Sequence, residues 1–293
     1  MIEIKCVIDA KAQLGESPYW DPCCGVLWWV DIFGRLIRRY DPINATEDVF
    51  DAPEPLGFLS VRKRGGLVVT MKSGFYFFDP ESRVFEPIVD PEDHLPDTRF
   101  NDGKTDRQGR FWSGTVFEAD GKQSLSIGGL YRLDTDLSCH RVLSNVGCAN
   151  GLAWSPDNQI MYFSDSRTSI VWAYDFDAKS GTTGGRREFV NLSEMNAFID
   201  GSTVDSEGCY WTTLPHRGLV ARYDPEGRLI QAIELPTDMP TSCEFGGPDL
   251  DVLYVTTAVY NRTPEKLSKQ PQAGGLFALD VGIRGLPSQP FAG

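Results

Sequence analysis

A run of apolar and aromatic residues recurs six times along the chain, as Leu27-Trp28-Trp29-Val30, Leu67-Val68-Val69, Phe111-Trp112, Met161-Tyr162-Phe163, Tyr210-Trp211 and Leu253-Tyr254-Val255. The runs start 40, 44, 50, 49 and 43 residues apart. A second anchor follows each of them, an apolar or aromatic residue before Asp: Tyr40-Asp41, Phe78-Asp79, Leu133-Asp134, Tyr174-Asp175, Tyr223-Asp224 and Leu279-Asp280. Between the anchors lie short β-rich runs and turns drawn from 29 Gly, 19 Pro and many Asp and Asn residues. No long, capped stretch of helical periodicity interrupts them. A period of about 40–50 residues built only of strands and turns predicts propeller blades. The expected fold is therefore all-β: a six-bladed β-propeller with four-stranded antiparallel blades, forming one domain over residues 1–293. A two-sheet sandwich leaves the even spacing of six units unexplained.

A propeller has to close its ring. Ile2, Ile4, Cys6 and Ile8 alternate as one face of a half-buried strand ahead of the first blade, so this N-terminal strand is predicted to complete the last blade beside Gly275 to Asp280. One short helix is expected over Pro264 to Lys269, with Thr263 as N-cap and Pro264 at the first helical position.

Charge and composition exclude several functions. The formal charge is −13, from 41 acidic and 28 basic residues, which would repel nucleic acid and anionic membrane surfaces. There is no run of about 18 apolar residues to span a bilayer. Charged residues between Met1 and Pro18 leave no signal-peptide apolar segment. The seven cysteines are odd in number and include adjacent Cys23 and Cys24 but no C-x-x-C pair. Reduced thiols and a cytoplasmic location are expected, and the sequons at Asn44, Asn191 and Asn261 are read as chance.

The repeat points to a site. The strand before each anchor run should line the central channel, and it begins ten or eleven residues upstream of that run. The residues there are Glu16, the Leu56/Gly57 pair, Asn101, Asn150, Asp200 and Ser242. Carboxylates buried in a channel are costly unless paired or metal-bound. Glu16 and Asp200, with one or two amide oxygens from Asn101 and Asn150, form an oxygen-only donor set suited to Ca²⁺, Mg²⁺ or Mn²⁺. Water or substrate would complete the coordination. Asp21, Asp106 and Asp205, each near a glycine, belong to hairpin turns. Other chemistries lack support: there is no G-x-S-x-G elbow, P-loop or H-E-x-x-H pair. His94, His140 and His216 read as surface or loop residues. Cys148, with no cationic partner in view, reads as packing.

The segments LGESPYW (14–20), RFNDGK (99–104), ANGLAWSPD (149–157), DGSTVDSEG (200–208), FGGPDLDVLYVTTA (245–258) and QPQAGGLFALD (270–280) resemble the senescence marker protein/regucalcin/gluconolactonase family nearly end to end. The resemblance implies a six-bladed propeller that hydrolyses aldonolactones and accepts one of several divalent ions, Zn and Fe besides Ca, Mg and Mn. It implies metal ligands at Glu16, Asn150 and Asp200, substrate contacts at Arg99 and Asn101, and Asp200 as general base. The animal members tend to carry two adjacent acids where this chain has Glu118-Ala119, which leaves open the sugar hydroxyl that Glu118 recognises. The expected activity is metal-dependent opening of a pentono- or hexonolactone by a monomer with no macromolecular partner. The alternatives are a non-catalytic, calcium-regulatory propeller and a metal-dependent phosphotriesterase.

Overall fold

The computed structural model describes residues 2–118 and 125–293, and within them six four-stranded antiparallel sheets are arranged in a ring. Blade 1 comprises Gly15–Asp21, Val26–Asp31, Leu36–Asp41 and Thr46–Asp51, from the channel outward. Blade 2 comprises Leu56–Val61, Leu67–Met71, Gly74–Asp79 and Val84–Val89. Blade 3 comprises Thr98–Thr105, Phe111–Phe117, Gly128–Leu133 and Cys139–Val146. Blade 4 comprises Ala149–Trp154, Ile160–Asp165, Ile170–Asp177 and Thr182–Asn191. Blade 5 comprises Ser202–Val204, Tyr210–Leu214, Leu219–Tyr223 and Leu229–Glu234. Blade 6 comprises Pro240–Gly246, Val252–Thr257 and Leu276–Asp280, completed by the N-terminal strand Glu3–Ile8. Each innermost strand touches the innermost strands of both neighbouring blades, so the six together wall the channel.

The recurring apolar runs are the second strands, and their continuity has a simple cause. Successive side chains of a strand point to opposite faces, and in a propeller both faces of a blade are covered by neighbours. Trp28 packs between blades 1 and 2, whereas Trp29 packs between blades 6 and 1. Likewise Tyr210 enters the interface with blade 4 and Trp211 the one with blade 6. Among the described residues there is one hydrophobic cluster at each of the six interfaces. Between blades 3 and 4 the rings of Trp112 and Trp154 meet edge to face, with centroids 5.7 Å apart. Each such buried side chain contributes roughly 1.5–3 kcal/mol by removal from water.

The ring closes as the sequence pattern implies. Glu3 pairs with Asp280 and Cys6 with Phe277 in antiparallel register. A register shift between Cys6 and Ile8 then turns Ile8 away from Ile2, Ile4 and Cys6. Those three pack between blades 5 and 6, while Ile8 packs between blades 6 and 1. The strict alternation expected over residues 2–8 is therefore broken at its last member. The helix spans Pro264–Lys269, with the Thr263 side chain accepting from the Lys266 amide. No helix of the described residues is long and apolar enough to cross a membrane. All seven cysteines are free, with Cys23 and Cys24 exposed. After blade 6 the chain crosses the base of the ring. It bridges Asp205 at Gly285 and Arg62 at Phe291, and it buries Phe291 between blades 2 and 3.

Candidate active site at the mouth of the channel

Glu16, Asn101, Asn150 and Asp200 come from four different blades and line one cavity of about 300 Å³. Arg99, Glu118 and Cys148 share it, with Phe33, Phe198 and Tyr260 among its apolar walls. The corresponding positions in blades 2 and 6, Leu56, Gly57 and Ser242, are not among the residues that line it. A Cβ on Gly57 would lie 2.7 Å from Thr70 Oγ1, and the Ser242 side chain packs against Gly201. Ala119 lies outside the described residues, so only Glu118 of that pair is placed.

The inner strands of blades 1, 3 and 4 deliver their side chains through bulges, which locally re-aim a strand, whereas Asp200 lies two residues ahead of the inner strand of blade 5. Register shifts fall between Glu16 and Tyr19, between Phe100 and Gly103, and between Asn150 and Ala153. Two of the bulges use left-handed backbone, Ser17 at φ 54° and Gly151 at φ 68°. Two aspartates that end second strands hold the chain just ahead of the site. Asp31 accepts from the Gln13 and Leu14 amides, upstream of Glu16. Asp165 accepts from the Gly147 and Cys148 amides, upstream of Asn150. These equivalent clamps in blades 1 and 4 carry no periodic sequence signal.

Within the cavity the polar groups are linked to one another. Arg99 Nε donates to Glu118 Oε2 at 2.5 Å, and its Nη1 donates to the Phe100 carbonyl at 3.0 Å and to Asn101 Oδ1 at 2.9 Å. Most of the guanidinium fork is thus engaged by the protein itself. Asn101 Nδ2 donates to the Ala149 carbonyl at 2.9 Å and to Asn150 Oδ1 at 3.3 Å. Asn150 Nδ2 donates to Ser166 Oγ at 2.7 Å. The Asp200 amide is fixed on the Thr213 carbonyl at 3.1 Å.

Charge is unbalanced here. Burial, and then the neighbouring carboxylates of Asp200 and Asp102, push the Glu16 carboxyl well above its ordinary range. Burial followed by Asp102 does the same to Asp200, against the opposing pull of the Gly201 amide, Arg99 and Asn150. Asp102 was not among the residues expected at the site. Burial raises it to about 6, opposed by Lys104 and by the amides of Gly103, Leu152 and Gly151. Glu16 and Asp200 thus face Arg99, whose closest carboxylate is Glu118, while the cation nearest Asp102 in effect is Lys104. Such a set favours a bound cation. Among the described residues no three His, Cys, Asp or Glu side chains gather tightly enough to hold a metal by themselves. The donor set that fits a hard ion is two carboxylates, Glu16 and Asp200, with the Asn150 amide oxygen. Burial, and then Asp200, push the Cys148 thiol up to about 12, which keeps it protonated and unsuited to nucleophilic attack.

Deeper in the channel Lys104 Nζ pairs with Glu244 Oε2 at 2.9 Å and donates to the Ser202 carbonyl at 2.7 Å. A cavity of about 50 Å³ beside this pair is lined by Leu286, Pro287, Ser288 and Gln289 of the C-terminal segment. The turn aspartates behave as expected and do more besides. Asp106 accepts from Gln108 and Arg110 amides and pairs with the Arg110 guanidinium, while Asp205 binds the Glu207 and Cys209 amides and pairs with Arg222. His94 and His140 are exposed. His216 is exposed in a turn at the cavity mouth, where Arg262 Nη2 lies 2.7 Å from its Nδ1.

A closed six-bladed propeller with carboxylates and amides from several blades meeting at one mouth of its channel defines the class of the molecule. The chain belongs to the SMP-30/gluconolactonase/LRE-like family, whose model matches residues 14–259. It is similar to 6-deoxy-6-sulfogluconolactonase of Pseudomonas putida, with 36% identity over 292 residues, covering 99% of each chain. It is also similar to regucalcin of Oryctolagus cuniculus, with 36% identity over 296 residues, covering 100% of this chain and 99% of the relative. Among solved structures, a calcium-binding protein, regucalcin, from Agrobacterium tumefaciens superposes with a TM-score of 0.94 at 25% identity, over 99% of this chain and 97% of that one.

Proposed function

We propose that this protein is a metal-dependent lactonase that opens a sugar aldonolactone to the aldonic acid. The observation that carries the reading is the buried pair Glu16 and Asp200 with Asn150 beside them, an excess of negative charge at the head of an open cavity. The lactonase and regucalcin names of its relatives agree with it. Glu16, Asn150 and Asp200 would hold a divalent ion such as calcium. When bound, the ion supplies Lewis acidity toward the lactone carbonyl.

The remaining chemistry belongs to the chain. Asp200 accepts a proton from the attacking water and returns it to the ring oxygen as the ester opens. Burial and Asp102 raise its carboxyl above the ordinary range, which makes it a stronger base than an exposed aspartate. Asn101 Oδ1, steadied by Arg99, keeps a second lone pair that can accept from a substrate hydroxyl. The outer edge of Arg99 and the half-exposed Glu118 stand where sugar hydroxyls would lie. Phe33, Phe198 and Tyr260 exclude water on the apolar side. A lactone is an activated ester, so no covalent nucleophile is needed, consistent with a protonated Cys148.

The test is a panel of pentono- and hexonolactones assayed with and without divalent ions, beside a phosphotriester. Ion-dependent hydrolysis of one or more lactones is the expected result. Exclusive turnover of the phosphotriester, or none of any substrate in protein shown to carry the ion, would overturn the reading.

A further inference from the structure

We infer that Ser166 is a positioning residue that sets which end of the Asn150 amide faces the site, and so tunes the affinity for the divalent ion. The inference rests on the metal-site reading above. Ser166 is 3% exposed and sits just past the second strand of blade 4. Its Oγ donates to the Ile199 carbonyl at 2.5 Å, which commits its only proton. The same Oγ can then only accept from Asn150, so the amide end turned toward it must be Nδ2, at 2.7 Å. Oδ1 is left on the opposite side, within 3.3 Å of Asn101 Nδ2 at the cavity.

An asparagine binds a cation through Oδ1 alone, and a flipped amide would present two N–H donors to it instead. Besides Ser166, the Nδ2 end meets the Asp200 carboxyl, which accepts from the Asn150 side chain and would itself be held by the ion, and Cys148 Sγ, 3.8 Å away and a weak acceptor. Ser166 also reaches two ligand-bearing segments at once. Its amide donates to the Cys148 carbonyl at 3.0 Å, two residues before Asn150, and its hydroxyl holds Ile199, one residue before Asp200. One hydroxyl therefore ties blade 4 to blade 5 at the point where their donors converge. Partners of this kind, which orient a ligand without touching the ion, commonly govern affinity by about 10–100-fold.

The experiment is calorimetric titration of Ca²⁺ into chelator-stripped wild type, Ser166→Ala, Ser166→Thr, Asn150→Asp and the Asn150→Asp/Ser166→Ala double variant. A carboxylate is symmetric and needs no orienting partner, so the Asn150→Asp background separates orientation from general packing. Ser166→Ala is expected to raise the Kd about 10–100-fold beside Asn150, but less than about threefold beside Asp at that position. Ser166→Thr keeps the hydroxyl and should hold the Kd near wild type, which decides the matter even if the alanine variant folds poorly. Equal Ca²⁺ affinity in wild type and Ser166→Ala would overturn the role of Ser166 alone. An equal loss in both backgrounds would reduce it to packing. A wild-type chain that takes up no Ca²⁺ would overturn the metal site, and this inference with it.

Discussion

Arg99 and Glu118 meet at 2.5 Å, Nε to Oε2, with the arginine side chain 7% exposed and the glutamate 38% exposed. The pair joins the first strand of blade 3 to the residue just past its second strand, at the cavity mouth. The other side of the same guanidinium grips Asn101. The arginine therefore links an exposed acid to an amide inside the cavity.

Replacing Arg99 with Lys should slow lactone hydrolysis while sparing the ion. An ammonium cannot reach Glu118, the Phe100 carbonyl and Asn101 together, so Asn101 loses its tether. We expect kcat/KM to fall about 10–10²-fold, with metal affinity changed less than about threefold. Kinetics and metal titration on one preparation check this. Unchanged kinetics would assign Arg99 to structure alone.

Asp200→Asn keeps the shape of the side chain and an oxygen toward the ion but removes its basicity. The variant should fold normally and lose on the order of 10²–10⁴ in kcat. Circular dichroism beside steady-state rates measures both. Wild-type turnover would take Asp200 out of the proton transfer.

Chelation should abolish activity and a hard divalent ion restore it, with affinity that weakens as pH falls. Protons compete with the ion for Glu16 and Asp200, and because burial holds both above the ordinary carboxylate range, the competition begins at higher pH than for exposed acids. Calorimetry between pH 8 and pH 5, as approximate limits, follows this directly. An affinity independent of pH over that range would contradict the donor set.

Asp102 predicts a pH dependence of stability of opposite sense to that of a salt-bridged acid. Its folded-state pKa is raised to about 6, so the folded chain holds a proton that the unfolded chain has released. In chelated protein its contribution should decline as pH rises from about 4 to about 6 and stay flat above. Asp102→Asn should remove that part of the slope in denaturant melts. An identical slope in the variant would show that the carboxyl titrates normally.

Gly201→Ala should damage the site through packing. A Cβ there would lie 2.0 Å from Ser242 Oγ and 2.8 Å from Ser242 Cα, so the segment carrying Asp200 would have to move. A loss of about 1–3 kcal/mol is expected, together with reduced turnover. Thermal melts and activity report the two effects, and a variant unchanged in both would mean that this wall yields.

The blades and their number were legible because the first anchor belongs to strands buried on two faces, and that burial imposes a composition; the closing strand was legible in its alternation. The helix cap was legible in Thr263 and Pro264 alone. Glu16, Asn101, Asn150 and Asp200 could be found because a ring makes equal repeat positions meet in space. Asp102 could not. Period-two alternation sends it away from Asn101, and only the bulge between Phe100 and Gly103 brings both to the channel. Asp31, Asp165 and Ser166 act on backbone or side-chain groups 16 to 33 residues away. Nothing in a linear pattern marks such partners. The engagement of Arg99 by Glu118 was hidden for the same reason, since 19 residues separate them.

The pairing of Glu3–Ile8 with Leu276–Asp280 also bears on how the chain is made. The ribosome delivers the first of these strands early and its partner last. At about 5–20 residues per second the interval is of the order of fifteen seconds to a minute. Throughout that time five blades can form in order, but the sixth cannot, and Ile2, Ile4 and Cys6 have no interface to enter. A waiting strand with an apolar face is an invitation to pair with another chain. Synthesis of this protein thus has a vulnerable period fixed by its topology, and it ends only when the last blade captures the first strand.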